Sequence, residues 1–227
     1  MSTQVRPAFY ALRSGGWRDY VTLLHPPYTL WHLSYAALGA ALAPNMHWGL
    51  LGWTVLAFLL AMGVGAHALD EMKSRPLQTR IPDRVLVGLA AWSIAGACAI
   101  GVHVAIYTTW WLLAFIAFGA AIVVVYNLEL FGGALHTPFW FAAAWGSFPA
   151  LTAFFASART IRAEAVAVAA FAFVTSMVQQ RLSVDVRFAR RNAGDPAQAR
   201  TAEVALKLLA ASMPLLAGAL LLSRWRY

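Results

Sequence analysis

Three ionisable side chains at the end of an apolar run have types and spacing that suit metal or anion chemistry. His67, Asp70 and Glu71 stand at positions i, i+3 and i+4 of the stretch "HALDEMKSRPL". If the preceding run continues as a helix, we expect all three to project from one helix face. A histidine and two carboxylates on one face can hold a divalent cation. A loop held by salt bridges is the alternative interpretation of the same residues.

Basic residues follow this cluster directly and could bind an anion such as diphosphate. They are Lys73, Arg75 and Arg80. Prolines at positions 76 and 82 restrict the backbone that connects them. The stretch therefore predicts a combined site, in which the histidine and the carboxylates bind metal, the basic residues bind diphosphate, and the carboxylates take part in catalysis.

A second polar cluster, "YNLELFGGALHTPF", joins two later apolar runs. Tyr126 and Glu129 share a helix face, and Glu129 is the only charged residue between Arg84 and Arg159. Both are candidate catalytic residues, and Asn127 and His136 are further candidates. A helical hairpin with aromatic residues at a membrane surface is the alternative.

The third cluster is "QQRLSVDVRFARR". Arg181 and Asp185 are four residues apart and can neutralise each other on a helix. We therefore predict that Arg187 or Arg181, more than Asp185, contacts a bound anion, although Asp185 remains a candidate metal ligand. Gln180 is a further candidate for the site. A basic helix end that only fixes membrane orientation is the alternative.

Composition indicates an integral membrane protein. Of 227 residues, 61% are hydrophobic and 11% are charged, whereas soluble domains have about 25% charged residues. The formal net charge is +8, but the basic residues stand mainly at the ends of apolar segments. Membrane topology explains that placement, so we exclude nucleic acid as a partner.

Seven apolar segments approach the roughly 20 residues that a helix needs to cross a bilayer. They cover residues 28–45, 48–68, 85–106, 109–127, 137–157, 163–182 and 203–223, after an interfacial arm over residues 1–27. The segments are too long for barrel strands and do not alternate. We predict a single all-α membrane domain, with about seven transmembrane helices in a bundle around a central cavity.

The positions of Lys and Arg predict the orientation of this domain in the cell membrane. Most of them lie in the N-terminal arm, in the loop after the second span and in the loop after the sixth span. These three regions share one side, which the positive-inside rule makes cytoplasmic. All three polar clusters fall on this side and could converge on one cavity. His32 and Tyr35, one turn apart in the first span, could face the bundle interior.

Four stretches resemble the UbiA superfamily of intramembrane prenyltransferases, in chain order and over nearly the whole sequence. They are "WRDYVTLLHPPYTLWHLSYAALGAAL", "AHALDEMKSRPLQTRIPD", "VYNLELFGGALHTPFWFAAAWGSFPALTAFFA" and "VQQRLSVDVRFARRNAGDP". The second and fourth occupy the places of the family's two aspartate-rich motifs. The resemblance implies a helical bundle in which Mg²⁺ holds the diphosphate of an isoprenoid donor. In that family, departure of the diphosphate leaves an allylic cation, which reacts by prenyl transfer or terpene cyclisation.

The chain also departs from the family pattern, and the departures leave three functions open. It has fewer aspartates in both motifs, and seven apolar segments where the family commonly has nine. The first function is that of an isoprenoid diphosphate enzyme with Mg²⁺. The second uses the histidines and carboxylates of the first two clusters to bind Zn²⁺ or Fe²⁺ and acts on a lipid without diphosphate. The third is a non-enzymatic bundle that binds a lipid or a partner.

Overall fold

Helices are the only regular secondary structure in the part that the computed structural model describes, which comprises residues 7–191 and 196–225. This confirms the predicted all-α class. The helices are α1 Trp17–Leu23, α2 Pro26–Leu42, α3 Trp48–Ser74, α4 Asp83–Tyr107, α5 Leu112–Asn127, α6 Pro138–Ala158, α7 Ala163–Arg191 and α8 Pro196–Arg224, with a short 3₁₀ turn at Phe131–Gly133.

Five of these helices are long and apolar enough to cross a membrane. They are α3, α4, α6, most of α7 and most of α8. The first and fourth predicted segments are helical too, but α2 and α5 have only 17 and 16 residues. Membrane insertion is thus supported by five helices, fewer than the seven spans that the sequence predicts.

Helix α2 lies in the core and packs closely on its neighbours. Trp31 and Tyr35 are fully buried, and the Tyr35 hydroxyl contacts Thr175 Oγ1 on α7 at 2.7 Å. At Gly39, an added Cβ would stand 2.1 Å from the backbone oxygen of Ala150 on α6. Only glycine permits such an approach of two backbones. Helix α2 therefore ties α6 and α7 together along one side of the interior.

Two of the long helices contain π-helical segments. Residues Leu59–Ala66 form one in α3, and Ala142–Ser147 form one in α6. A π-helix widens the backbone ring, and such segments occur frequently at functional sites. The first segment ends immediately before His67, and the second contains Trp145. Both segments thus border the region that the sequence singles out.

The loop after α3 is fixed by its own hydrogen bonds. Arg75 has a left-handed backbone (φ 50°), donates to the carbonyl of Ile81 at 2.7 Å and pairs with the Asp83 carboxylate. The buried Asp19 carboxylate accepts from the amide of Arg80 at 2.8 Å, which joins the loop to α1. These contacts hold the rim of one end of the bundle.

We name this end, formed by the start of α2 and the ends of α3, α5 and α7, the polar end. The other end, with the end of α2 and the α6–α7 connection, is the opposite end. On the predicted orientation the polar end is cytoplasmic, because it carries most of the Lys and Arg.

Cysteine labelling tests this orientation, since Ser74 is exposed at the end of α3. In a Cys98→Ala background, we expect Ser74→Cys to be blocked in intact cells only by a membrane-permeant reagent. Thr160→Cys, exposed at the opposite end, is the matched control and should react with an impermeant reagent. The reverse labelling pattern would contradict the orientation.

Candidate functional site

Residues from all three predicted clusters meet at the polar end. Asp70 on α3 lies within electrostatic range of His136 and Glu129 from the α5–α6 connection, and of Arg187 on α7. These residues are far apart in the sequence. The fold therefore gathers them around one carboxylate at the mouth of the bundle.

The Asp70 carboxylate is half-buried and has no hydrogen bond or ion pair with any other described residue. Removing a carboxylate from water without a partner is costly. A carboxylate in this condition is well placed to receive a cation or a proton from a ligand. Asp70 is thus the residue on which the site centres.

Glu71, the next residue, has a different set of partners. Its side chain is fully buried, and its carboxylate accepts from the amides of Leu77 at 2.9 Å and Thr79 at 2.8 Å. The Thr79 hydroxyl donates to the same carboxylate at 2.9 Å. Both oxygens are therefore occupied by the loop after α3. This differs from the predicted roles of Glu71 as metal ligand and catalytic residue.

His67 belongs to a pair of stacked imidazoles. Its ring lies 4.0 Å from that of His25, centroid to centroid, with 12° between the planes. His67 Nδ1 is 3.1 Å from the carbonyl oxygen of Gly63, within the π-helical segment of α3. On the other side, His25 Nδ1 and the Tyr10 hydroxyl share a hydrogen bond of 2.7 Å. The N-terminal arm thus covers the histidine pair.

Burial sets the protonation of the covering residues. Desolvation on burial is the main cause that holds the pKa of His25 well below its ordinary range, and the electrostatic effect of the neighbouring His67 lowers it further. Desolvation on burial is the main cause that raises the pKa of Tyr10 well above its ordinary range, and the electrostatic effect of Tyr28 raises it further. Both groups are therefore neutral in the folded protein at neutral pH, which suits their hydrogen bond.

The lowered pKa of His25 predicts a pH-dependent stability. Below the ordinary histidine pKa of about 6.5, the unfolded chain takes up a proton that the folded protein does not, so the free energy of unfolding falls as the pH falls. We expect the melting temperature in detergent to be lower at about pH 5 than at about pH 7.5. His25→Asn keeps an acceptor for Tyr10 and suits the left-handed backbone at this position (φ 45°). It should lose part of this dependence; an unchanged dependence would contradict the prediction.

Tyr126 forms the floor of the site. Its buried ring packs between His136 and Trp145, with centroids 4.5 and 4.6 Å away. The carbonyl oxygen of Tyr126 is 3.0 Å from His136 Nδ1. Asn127, another candidate, instead donates to the carbonyl of Val123 at 2.7 Å within its own helix. The cluster thus contributes aromatic rings to the site rather than amides.

The remaining members of this region lie at its edge. Glu129 is exposed, with a left-handed backbone (φ 52°). Lys73 is also exposed, and its ammonium reaches the carbonyl of Leu128 at 3.5 Å. The predicted anion ligands Arg75 and Arg80 have different surroundings. The Arg75 side chain is hydrogen-bonded within its own loop, whereas the Arg80 side chain is exposed.

On α7, Arg187 is exposed but lies within electrostatic range of the site, and Arg181 is paired with Asp185. Arg187 interacts electrostatically with Asp70, Tyr126 and His25. The Arg181 side chain is 79% exposed and pairs with Asp185 at 3.7 Å, which is the neutralisation that their spacing predicts. Of the two arginines, the geometry therefore favours Arg187 as the anion ligand. Gln180 is half-buried on the same helix.

The donor set does not fit a preformed metal centre. Among the described residues, no three His, Cys, Asp or Glu side chains gather closely enough to hold an ion. Glu71 is bound by amides, and Asp185 is paired with Arg181. A zinc or iron site would need several protein ligands. Mg²⁺ often needs one or two carboxylates and takes its other ligands from substrate phosphates, and Asp70 fits that role.

Apolar space adjoins the polar cluster. Two contiguous pockets share Phe58, Gly119 and Phe148 and run between α3, α5 and α6. Their volumes are about 100 and 30 Å³, and Trp145, which lines the smaller one, packs on Tyr126. Small apolar cavities thus lie next to the aromatic rings of the site.

Two buried side chains on α2 and α7 lack a hydrogen-bond partner on one atom. His32 and Gln179 are each 3% exposed, and neither His32 Nδ1 nor Gln179 Oε1 has a partner among the described residues. The His32 ring lies 5.9 Å from Tyr35, whose hydroxyl contacts Ser176, one turn from Gln179. Native proteins rarely leave such atoms unsatisfied. The sequence places His32 towards the interior, and the structure agrees.

Three contributors to the site lie outside the predicted set of site residues. Tyr10 and His25 come from the N-terminal arm, and Trp145 from a helix rich in small residues. The nearest signal in the sequence is the double proline after His25, which marks the start of α2 at the site.

No protein-family model, curated protein or solved structure matches this chain.

Proposed function

We propose that this protein is a membrane-embedded enzyme of the UbiA type that acts on an isoprenoid diphosphate. The observation that carries the proposal is the position of Tyr126 and Trp145 between small apolar cavities of the interior and the charged cluster around Asp70. An isoprenoid diphosphate has the same two parts, a long apolar tail and a compact anionic head. With α2 and α5 also within the membrane, the domain would have the seven helices that the sequence predicts.

The head group would bind at the polar end. Arg187 supplies a guanidinium that suits two phosphate oxygens at once, and Lys73 adds a second cation at the rim. Mg²⁺ accompanying the diphosphate would be met by Asp70, and it would supply charge neutralisation of the leaving group. Glu71 anchors the loop after α3 through the amides of Leu77 and Thr79, and this anchored loop keeps Asp70 in place.

The reaction would take place beside the aromatic floor. The bond between the allylic carbon and the diphosphate oxygen breaks, and its electron pair leaves with the diphosphate. The faces of Tyr126 and Trp145 favour the resulting cation, while the apolar walls exclude water. An acceptor or another double bond of the chain then forms the new bond, and a released proton needs a neutral base such as an imidazole.

Diphosphate release by the purified protein tests the proposal. With geranylgeranyl diphosphate and Mg²⁺ in detergent, we expect release of inorganic diphosphate and a prenylated or cyclised product in the mass spectrum. Arg187→Ala should lower the rate or the affinity at least about tenfold, since a hydrogen bond to a charged group contributes about 1.5–3 kcal/mol.

Arg181→Ala is the matched control, because it removes the same kind of side chain about two turns away on α7, from an arginine that pairs with Asp185. We expect it to change the rate less than about twofold. Equal losses in the two variants would contradict the assignment of Arg187. Binding of the substrate with no turnover, under any metal, would instead indicate the non-enzymatic lipid-binding bundle.

A further inference from the structure

A second polar pocket lies at the opposite end of the bundle, on the far side from Asp70. It is formed where α2 ends, α3 begins and α6 ends, with α8 closing one side. Its volume is about 490 Å³, within the roughly 300–1,000 Å³ of small-molecule sites. The polar residues that line it are Asn45, His47, Ser157, Arg159 and Arg224.

The charge of this pocket is positive. Arg159 and Arg224 both line it, and none of the described lining residues is acidic. Arg159 is exposed, and its guanidinium has no hydrogen bond or ion pair with another described residue. Two guanidinium groups on one concave surface, with no carboxylate among the described lining residues, raise the local concentration of anions.

Arg224 is held in place by the end of α2. Its Nε donates to the carbonyl of Ala41 at 2.7 Å, and its Nη2 donates to that of Ala43 at 3.2 Å. These carbonyls belong to the negative end of a helix, which favours a cation. Two of the three guanidinium nitrogens are therefore fixed by the protein. The third has no partner among the described residues.

Ser157 supplies an independent indication of a ligand. It is 7% exposed, it lines the pocket, and its hydroxyl has no hydrogen-bond partner among the described residues. A serine in a helix ordinarily satisfies its hydroxyl on the preceding turn, and buried hydroxyls are almost always bonded. A hydroxyl beside two guanidinium groups is a donor for the same oxyanion that they attract.

We propose that this pocket binds a phosphate group through Arg159, Arg224 and the Ser157 hydroxyl. Guanidinium groups and a hydroxyl are donors only towards such an anion, and a phosphate offers enough acceptors for all three. Trp48 and Trp225, which pack edge to face at 5.3 Å beside it, are of the type that marks a membrane interface. The phosphate group is that of an anionic phospholipid or a free phosphate ion, and it is bound independently of the reaction at the polar end.

Binding measurements on lipid-stripped protein test this proposal. The background is Arg187→Ala, which reduces the contribution of the polar end. One arm titrates inorganic phosphate in detergent, and the other adds phosphatidylglycerol and counts bound molecules by native mass spectrometry. We expect Arg159→Gln to weaken binding at least about tenfold and Ser157→Ala to weaken it about three- to tenfold.

Arg162→Gln removes a nearby positive charge from outside the pocket and is the control. It should change affinity less than about twofold. Saturable binding of phosphate alone would identify a free ion as the ligand, whereas binding of the phospholipid alone would identify a head group. Absence of binding in both arms, or equal weakening by Arg159→Gln and Arg162→Gln, would overturn the proposal. Melting temperatures of the ligand-free variants show that each is folded.

Discussion

A protein that carries Glu71→Ala is expected to unfold at a much lower temperature than the native chain. The buried carboxylate is the acceptor for the amides of Leu77 and Thr79. Each amide left without an acceptor costs about 1–3 kcal/mol, so we expect the free energy of unfolding to fall by about 4 kcal/mol. Thermal unfolding in detergent, followed by circular dichroism, measures the effect.

Two controls separate this effect from a loss of charge at the site. Glu71→Gln keeps one carbonyl acceptor, so it should be destabilised by less than half as much. Arg80→Ala removes an exposed side chain from the same loop and should alter the melting temperature little. If Glu71→Ala melts normally but loses metal or substrate binding, Glu71 is a ligand and its structural role is wrong.

Asp70→Asn is expected to abolish function without unfolding the protein. Asparagine keeps the shape of the side chain and removes the one carboxylate at the centre of the cluster that no described residue neutralises. Removing a group that stabilises developing charge typically lowers the rate by about 10²–10³-fold. We expect a loss of that size in diphosphate release, with an unchanged or higher melting temperature because a costly charge is removed.

Asp185→Asn is the matched substitution for this experiment. Asp185 is paired with Arg181, and we expect a loss of less than about threefold. The opposite order, with Asp185→Asn the more damaging, would assign the reacting carboxylate to α7. It would also restore the two-cluster arrangement that the family resemblance implies.

The helices could be predicted from the sequence because long apolar runs leave the backbone few other solutions in a membrane. The positions at which the helices end could not be predicted in this way. Helix α3 continues beyond the predicted boundary at 68 to Ser74, and α7 continues beyond 182 to Arg191. Most residues of "HALDEMKS" (Ala, Leu, Glu, Met and Lys) are good helix formers although several are polar. A prediction that relies on apolar residues alone therefore ends each helix too early.

Each of the three polar clusters that the sequence singles out contributes a residue near Asp70, among them His136 and Arg187. Spacing alone does not reveal which members of a cluster come close in the fold. The prediction for Glu71 differs from the structure for a geometrical reason: neighbouring positions on a helix point about 100° apart, so two adjacent carboxylates cannot both point at one ion. The amides of Leu77 and Thr79 that bind Glu71 come from a tertiary turn, which spacing does not reveal.

Two backbone carbonyls determine which tautomer the histidines at the site adopt. The oxygens of Gly63 and Tyr126 can only accept, so the facing Nδ1 atoms of His67 and His136 must each carry the hydrogen. In the neutral rings this leaves Nε2 with the lone pair. His67 on α3 and His136 before α6 therefore offer the same nitrogen, Nε2, as a hydrogen-bond acceptor. That choice is made by the main chain rather than by another side chain.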